Sequence, residues 1–565
     1  MAWKEWYNLL SDKQNSCNDI NKYKNKLKSC LEYLYNDDNK VSLAVDFFNG
    51  EESNFKDSPD DIKIRILKGG SYKIKGYYLE NNNLQDIRGA SVLLTYVEET
   101  VIPKMISTKF NESCIIYCGG GNIFAVLPED CPTDFNIDLE REAQKYLISG
   151  NIAYYLSEPM NISQLLGDNY RLNMVMIENA LDERKKTKIY NNPSMESSIF
   201  TAKGVSLIDS LTINPKKYPL IDKTCICDHC NSKIAKYQAN NENLCASCLH
   251  KNIVGRHTKK SKYISEYKKY TKQEADIVQS LSDIDKDYIA IVYGDGNNMG
   301  GIIQNLNKIT DMMQFSNTVK NVANKSVFSA MKDNNIKKFE VVGLGGDDVF
   351  VIVEAKKSIK FALSLIKYYN QDFKEKYEEN PSTMAVGIAI AKTNTPVKII
   401  LEQAEEELSK AKKLCKEKVL AGGQDTGALS FTIIDSYEGN NENLTLDYGA
   451  KNTLLPYETE TAEKIISYVD KIKEPSISKT KIYNLSEGFK KAESIDEAKL
   501  FFNYMNAKEK DKDNRIELPS LPNFELDNAF YTKNGEILYL WDDIINLLDY
   551  TDGGTFNEEK LQHKG

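Results

Sequence analysis

A chain of 565 residues is too long for one hydrophobic core and divides into three or four domains. With 41% hydrophobic and 27% charged residues it is of ordinary globular composition. It has no apolar run long enough to span a bilayer and no signal-peptide pattern, which points to the cytoplasm. A net charge of −9 excludes a global attraction for nucleic acid, so any RNA contact is local or shared with other chains. Of 11 cysteines, five crowd into Cys225–Cys248, a pattern of a reducing compartment and a metal knot rather than disulfides.

Residues 1–58 are polar and helical, with Trp3, Trp6, Leu9, Leu10, Leu27, Leu31 and Leu34 as spaced apolar positions. The only histidines are His229, His250, His257 and His563. A metallonuclease of the His-Asp type needs histidine ligands, so none is expected at the N-terminus. Residues 59–205 open strand-rich, from Ile62–Leu67 through Gly69-Gly70 and Tyr72–Tyr78 to about residue 130. They then turn helical over Leu139–Leu156 and Asn161–Ala180, and the basic run Arg184–Lys188 ends them as a solvated helix end.

Residues 206–283 hold Cys227-x-x-Cys230 and Cys245-x-x-Cys248, separated by fourteen residues. Two such knuckles fit one tetrahedral zinc, closed by four thiolates and therefore structural. Cys225 and His229 are alternates that the spacing does not settle. Lys251 to Lys272, interleaved with Tyr263, Tyr267 and Tyr270, is the best local candidate for a nucleic-acid backbone, although a solvated helix face accounts for it slightly better.

Residues 284–437 carry the pattern on which the chemistry turns. Val341 to Val353 is apolar, then Gly345-Gly346, then Asp347-Asp348, then apolar again: two strands joined by a tight turn with carboxylates at its tip. Adjacent acids repel, and a divalent cation relieves them. Upstream, the strand Tyr288–Tyr293 ends in Gly294-Asp295-Gly296-Asn297-Asn298. If the two strands are neighbours, Asp295, Asp347 and Asp348 converge on Mg²⁺, the arrangement of palm-type nucleotidyl transferases. Helices 359–377 and 397–416 and strands 384–391 and 429–434 complete a split βαβ unit of α+β class, in which Lys412 can reach triphosphate oxygens. Residues 438–565 turn helical over 462–472, 486–492, 495–505 and 536–550, with a charged stretch at 506–514 and no catalytic constellation.

An internal repeat emerges when the two strand-rich parts are set side by side. Tyr78 to Leu84 matches Tyr293 to Met299, and Gly119 to Leu127 matches Gly345 to Val353. In the first copy Gly121 and Asn122 replace the acid pair. That copy keeps a phosphate-accepting glycine turn and has lost the metal site.

Gly345-Gly346-Asp347-Asp348 with Asp295, the four-cysteine knot, the degenerate copy with its Asp86–Ser91 stretch and the helical C-terminus resemble the large subunit of type III CRISPR effector complexes, the Cas-ten family, in its Cmr-two branch. Ala404 to Lys412 is similar to the phosphate-binding helix of the related diguanylate cyclases. The resemblance, over about residues 60–550, implies two ferredoxin-like palm domains, a zinc knot between them and helical N- and C-terminal domains. It implies work in a complex with Cmr-three-like and small subunits, guide RNA and target RNA, away from membranes. ATP conversion with Mg²⁺ or Mn²⁺ gives an adenylate signal, usually cyclic oligoadenylate, in some members AMP joined to S-adenosylmethionine.

By this resemblance Asp295, Asp347 and Asp348 hold the ions, while Gly294, Gly296, Asn297, Asn298, Gly345, Gly346 and Lys412 bind the donor nucleotide. Glu80, Asn82, Asp86, Gly120, Gly121 and Asn122 of the first copy bind the acceptor, and the acids Glu80 and Asp86 would suit a sulfonium. The missing His-Asp nuclease implies no DNase activity from this chain. A stand-alone nucleotide cyclase and an inactive scaffold subunit are the alternatives.

Overall fold

The computed structural model describes residues 16–34, 63–187, 218–257, 262–434, 445–472, 479–509 and 515–551, apart from 82, 166, 222, 223, 307, 308 and 378–380. Trp3, Trp6, Leu9 and Leu10 lie outside these residues, as do Asn82, Lys259 and Lys260. The chain forms two units, one of residues 1–259, 298–321 and 376–380, the other of residues 260–297, 322–375 and 381–565.

In the first unit β1 (Lys63–Tyr72) is followed by helices α2 (Ile74–Tyr78), α3 (Leu84–Tyr96) and α4 (Ile102–Lys109), after α1 (Ser16–Leu34). The hairpin β2 (Ile115–Gly119) and β3 (Asn122–Pro128), helix α5 (Phe135–Leu147), strands β4 (Asn151–Leu156) and β5 (Met160–Asn161) and helix α6 (Gly167–Thr187) follow. A short hairpin, β6 (Tyr237–Ala239) and β7 (Glu242–Leu244), leads into α7 (Ala246–His257). The sheet order is β2-β3-β1-β4, and β1 runs antiparallel to both neighbours. Its core takes Ile64, Ile66 and Leu67 from β1, Phe124 and Val126 from β3, and Leu27 and Leu31 from α1.

Two sequence expectations change here. The stretch 62–130 is interrupted by the long helical passage from Leu84 to Lys109. The helix expected over Leu139–Leu156 stops at Leu147, because Ile148 takes a positive φ of 50° and residues 151–156 join β1 as an antiparallel edge. Apolar runs of this length do not tell strand from helix until a partner strand is in place.

The second unit repeats the plan. After α8 (Lys262–Thr271), strand β8 (Tyr288–Gly296) leads in chain order through α9 (Met299–Gln304) and α10 (Ile309–Asp333) to the hairpin β9 (Phe339–Gly345) and β10 (Asp348–Glu354), then α11 (Ala355–Lys374) and β11 (Met384–Lys392). The order β9-β10-β8-β11 matches the first sheet strand for strand. Helix α12 (Val397–Leu420) then crosses to β12 (Ala428–Ile434), which pairs parallel to β11, and β13 (Tyr457–Glu458) adds an antiparallel edge.

Residues 445–551 are helical in α13 (Thr459–Ile472), α14 (Lys479–Lys491), α15 (Ile495–Ala507) and α16 (Trp541–Tyr550). They also hold a three-stranded sheet of residues 525–527, 530–533 and 536–538, so the helix expected from Glu536 begins only at Trp541. The buried rings of Phe489, Phe530 and Trp541 centre this part, with Phe489 5.1 Å from Phe530 and 5.9 Å from Trp541. Tyr263 and Tyr267 on α8, expected on a solvated helix face or, second to that, a nucleic-acid face, are core side chains; Tyr267 stands edge-on to Phe328 at 6.4 Å.

Gly387 on β11 fixes how closely α12 lies on the sheet, because a Cβ there would collide with the backbone at Ala404 and Leu408. Gly387→Ala is expected to destabilise the second unit by about 1–3 kcal/mol, the usual cost of overpacking. Denaturant unfolding followed through the second unit's aromatic core tests this, and an unchanged midpoint would show that the helix yields.

Candidate functional site

Strand pairing brings the acids together. Val349 faces Gly294 across β10 and β8, so the next step of the ladder sets Asp348 beside Asp295. Asp347 stands in the two-residue turn closed by Gly345 and Asp348. Gly346 has φ of 63° and Asp347 does not share a positive φ, the pattern of a type II′ hairpin with glycine first. Burial pushes the Asp347 carboxyl up to about 7, the like charges of Asp295 and Asp348 add to it, and Lys412 acts in the opposite sense. Lys412 Nζ on α12 lies 2.6 Å from Asp295 Oδ2. Tyr293, two residues before Asp295 on β8, donates its hydroxyl to Asp348 Oδ1 at 3.4 Å.

Hard carboxylate oxygens crowded until one acid is driven toward its neutral form are the donor chemistry that fits Mg²⁺ or Mn²⁺. The set is open: among the described residues, only the cysteine quartet brings its ligand atoms all within 4.8 Å of one another.

Asn297, expected at the nucleotide, is tied into the fold by its own hydrogen bonds. Its Nδ2 donates to Thr383 Oγ1 and Asp425 Oδ2, both at 3.0 Å, and its backbone N–H and C=O are bound by the Thr383 carbonyl and the Ser382 hydroxyl. Asn298 follows at a left-handed φ of 61°. Asn297 therefore anchors the strand end that carries Asp295. Tyr293, Thr383, Ser382 and Asp425 went unnoticed in the sequence; only the alternation that puts Tyr293 on the Asp295 side of β8 was legible there.

The first sheet has the same turn position without the acid pair. Gly119 faces Asn122, as Gly345 faces Asp348, so the hairpin match holds. The match of Tyr78–Leu84 with Tyr293–Met299 does not. Asn122 faces Gly70 on β1, so Gly70 is the counterpart of Asp295, and Glu80 lies beyond α2, off the sheet.

Both central turn residues, Gly120 and Gly121, have positive φ (59° and 81°), a type I′ turn that presents its central peptide differently. The Gly121 N–H donates to Glu98 Oε2 at 3.1 Å. Glu98 sits in a π-helical segment, Val97–Val101, between α3 and α4. A Cβ at Gly70 would collide with the Gly121 carbonyl. The glycine turn expected to accept phosphate is thus filled by the chain's own carboxylate.

Glu80 and Asp86, expected at an acceptor nucleotide, are committed elsewhere. Glu80 accepts from Lys233, Lys251, Ser149 and Ser247. Burial would raise its pKa, but Lys251 and Lys233 hold it down to about 2. Asp86, fully buried, accepts from Asn81 Nδ2 at 2.8 Å and Asn252 Nδ2 at 2.6 Å, and pairs with His229 Nδ1 at 2.6 Å. The other His229 nitrogen lies 3.1 Å from Glu242 Oε2, and against burial the two acids hold the imidazole up to about 9.

These contacts tie the cysteine knot to the end of α2 and the start of α3, within the first unit. The four Sγ atoms of Cys227, Cys230, Cys245 and Cys248 cluster within 4.8 Å, and Asn81 Nδ2 reaches Cys248 Sγ at 3.5 Å. Four soft thiolate donors and no open position fit structural zinc. With both ring nitrogens on carboxylates, His229 is no ligand, and Cys225 lies outside the cluster.

Sheet order and hairpin together define a palm-type fold. Residues 288–420 match the family model described as Cas10/Cmr2, second palm domain. No curated protein matches the chain. Among solved structures, the apo Csm1–Csm4 cassette aligns over 83% of this chain and 68% of that chain, with TM-score 0.53 and 12% identity. The same cassette in complex with AMPPNP (TM-score 0.49, 13% identity) and with cA4 (TM-score 0.47, 11% identity) aligns over 79% of this chain. The chain spans 65% of the length of those two chains, less than two thirds. The likeness to the apo cassette is one of fold. Residues 288–420 are thus similar to the second palm domain of Cas10/Cmr2 proteins, in a chain whose fold is like that of the apo cassette.

Two measurements test the site assignments. Gly121→Asp with Asn122→Asp is expected to gain no Mn²⁺ binding over the wild type in calorimetric titration, because the introduced aspartate at the first of these positions would have to adopt φ of 81° and displace Glu98; an added binding equivalent would refute the sealed turn. The purified chain is expected to carry about one zinc ion per chain, and Cys248→Ser to release it and lower the unfolding midpoint. A metal-free wild type with the same midpoint would contradict this.

Proposed function

We propose that the chain is the large subunit of a type III CRISPR antiviral effector complex, and that its second palm domain converts ATP into an adenylate second messenger when target RNA binds. The observation that carries this reading is the placement of Asp295 beside Asp348, with Asp347 at the adjoining turn, inside the segment that matches the Cas10/Cmr2 palm model. The solved relatives were crystallised as Csm1–Csm4 cassettes, and by analogy this chain would work with such a partner, a small subunit, guide RNA and target RNA.

Mg²⁺, when bound, would neutralise charge on the triphosphate and on the attacking hydroxyl. Asp295, Asp347 and Asp348 would hold it. The turn at Gly345-Gly346, without side chains, leaves backbone amides open to the phosphates. Lys412 stands within reach of the same oxygens, and Tyr293 orients Asp348. The chain's contribution is positioning and charge neutralisation, with pyrophosphate as leaving group. We read the first sheet as a degenerate palm domain that supplies shape and no metal ligand.

Cyclic oligoadenylate is the product this reading favours. The argument for S-adenosylmethionine as acceptor leaned on negative charge at Glu80 and Asp86, and both acids are neutralised internally by Lys233, Lys251 and His229. The intact acid set speaks against an inactive scaffold.

The test is product analysis by mass, using the complex assembled with guide and matching RNA, labelled ATP and Mg²⁺, with and without S-adenosylmethionine. Oligoadenylate is expected from ATP alone and only with target RNA. Asp347→Ala with Asp348→Ala is expected to reduce synthesis by at least about a hundredfold while RNA binding stays intact. Synthesis surviving in that variant would sink the site assignment, and synthesis without RNA would favour a stand-alone cyclase.

A further inference from the structure

The lysines of α12 divide into two kinds. Lys410 pairs with Glu407 at 2.7 Å and Lys413 with Glu417 at 3.8 Å on the same helix, and Lys418 pairs with Glu458 at 2.6 Å on the sheet's edge strand. Lys412 instead reaches across to Asp295 Oδ2 at 2.6 Å. It follows Ala411, which is fully buried against the sheet, so its stem starts at the rim of the packed face and its charge arrives at the end of β8. The side chain is 38% exposed, which leaves it room to move.

We infer that Lys412 is a built-in counterion of the acid site: it holds Asp295 in place of a metal ion in the nucleotide-free chain, and passes to the polyphosphate when nucleotide and metal arrive together. The inference rests on the nucleotidyl-transferase reading of this site and adds an order of binding to it. A divalent cation and an ammonium group compete for the same carboxylate oxygen and repel each other. Free metal must therefore displace Lys412 from Asp295 with no phosphate to receive it. A nucleotide brings phosphate oxygens that accept the ammonium, so the displacement is compensated and metal and nucleotide bind with positive coupling.

The experiment compares wild type, Lys412→Ala and Lys412→Arg in two measurements. One is Mn²⁺ binding without nucleotide, by calorimetry or electron paramagnetic resonance; the other is KM for ATP in the assembled, RNA-activated complex. In Lys412→Ala, nucleotide-free Mn²⁺ affinity is expected to rise about three- to tenfold, the scale of one half-exposed ion pair, while KM for ATP rises about tenfold or more. Lys412→Arg, which keeps the charge, is expected to bind free Mn²⁺ as weakly as wild type. A merely structural lysine would weaken both measurements together. Free Mn²⁺ affinity that falls or stays constant in Lys412→Ala overturns the inference, as does a wild type that binds no Mn²⁺. If wild type binds Mn²⁺ and the alanine variant binds it more tightly, yet no product forms from ATP, the counterion role stands and the proposed activity fails.

Discussion

The candidate site depends on three carboxylates that strand pairing and one tight turn bring to the same end of one sheet. Strand pairing leaves Asp348 no choice but to stand next to Asp295, and the turn adds Asp347 above them. Such crowding is unfavourable in the absence of cations. The protein meets it in three ways: the Asp347 carboxyl shifts toward its neutral form, Tyr293 donates to Asp348, and Lys412 covers Asp295. A site of this kind is poised to take up positive charge. On the inference drawn above, Lys412 sets the order in which metal and nucleotide enter it.

The first sheet shows how little is needed to end this chemistry while the fold persists. Strand order, antiparallel ladder and hairpin position are the same in both sheets. The turn type differs, because Gly121 adopts a positive φ where Asp347 does not. That reorients one peptide, and its N–H is met by Glu98 from a π-helical segment, a local feature that recurs where helices have been remodelled around functional positions. Gly70, at the counterpart of Asp295, has no space for a side chain. The loss is built into the backbone as well as the side chains.

The cysteine knot is bound to this first unit by a buried charge network. Glu80 and Asp86 each answer cations from the knot, Lys233 and Lys251 on one side and His229 on the other. Lys251 is almost fully buried and also lies over the Tyr77 ring, 3.8 Å from its centroid. Breaking one member of such a pair strands its partner in low dielectric, at a cost on the order of 3–5 kcal/mol. Where Gly89 and Gly255 meet, α3 and α7 pack backbone to backbone, without room for a Cβ on either helix. The metal knot and the helices thus hold one another.

The local order of residues by itself determined the hairpin with its acid tip, the strand ending in Asp295 and the cysteine quartet, because each is written in contiguous residues: glycine before acid, apolar alternation, paired knuckles. Tertiary structure decided what contiguity does not encode. It fixed the register that makes Gly70, and not Glu80, the counterpart of Asp295, since only a paired ladder says which residues face each other. It turned Glu80 and Asp86 from ligand-facing acids into internal ion-pair partners, since burial and cationic neighbours come from segments about 150 residues away. It made residues 151–156 a strand and Tyr267 a core residue, because an apolar run takes its form from what it packs against. And it placed Lys412 on Asp295, across more than a hundred residues of chain, where a lysine on an amphipathic helix would otherwise be read as solvated surface.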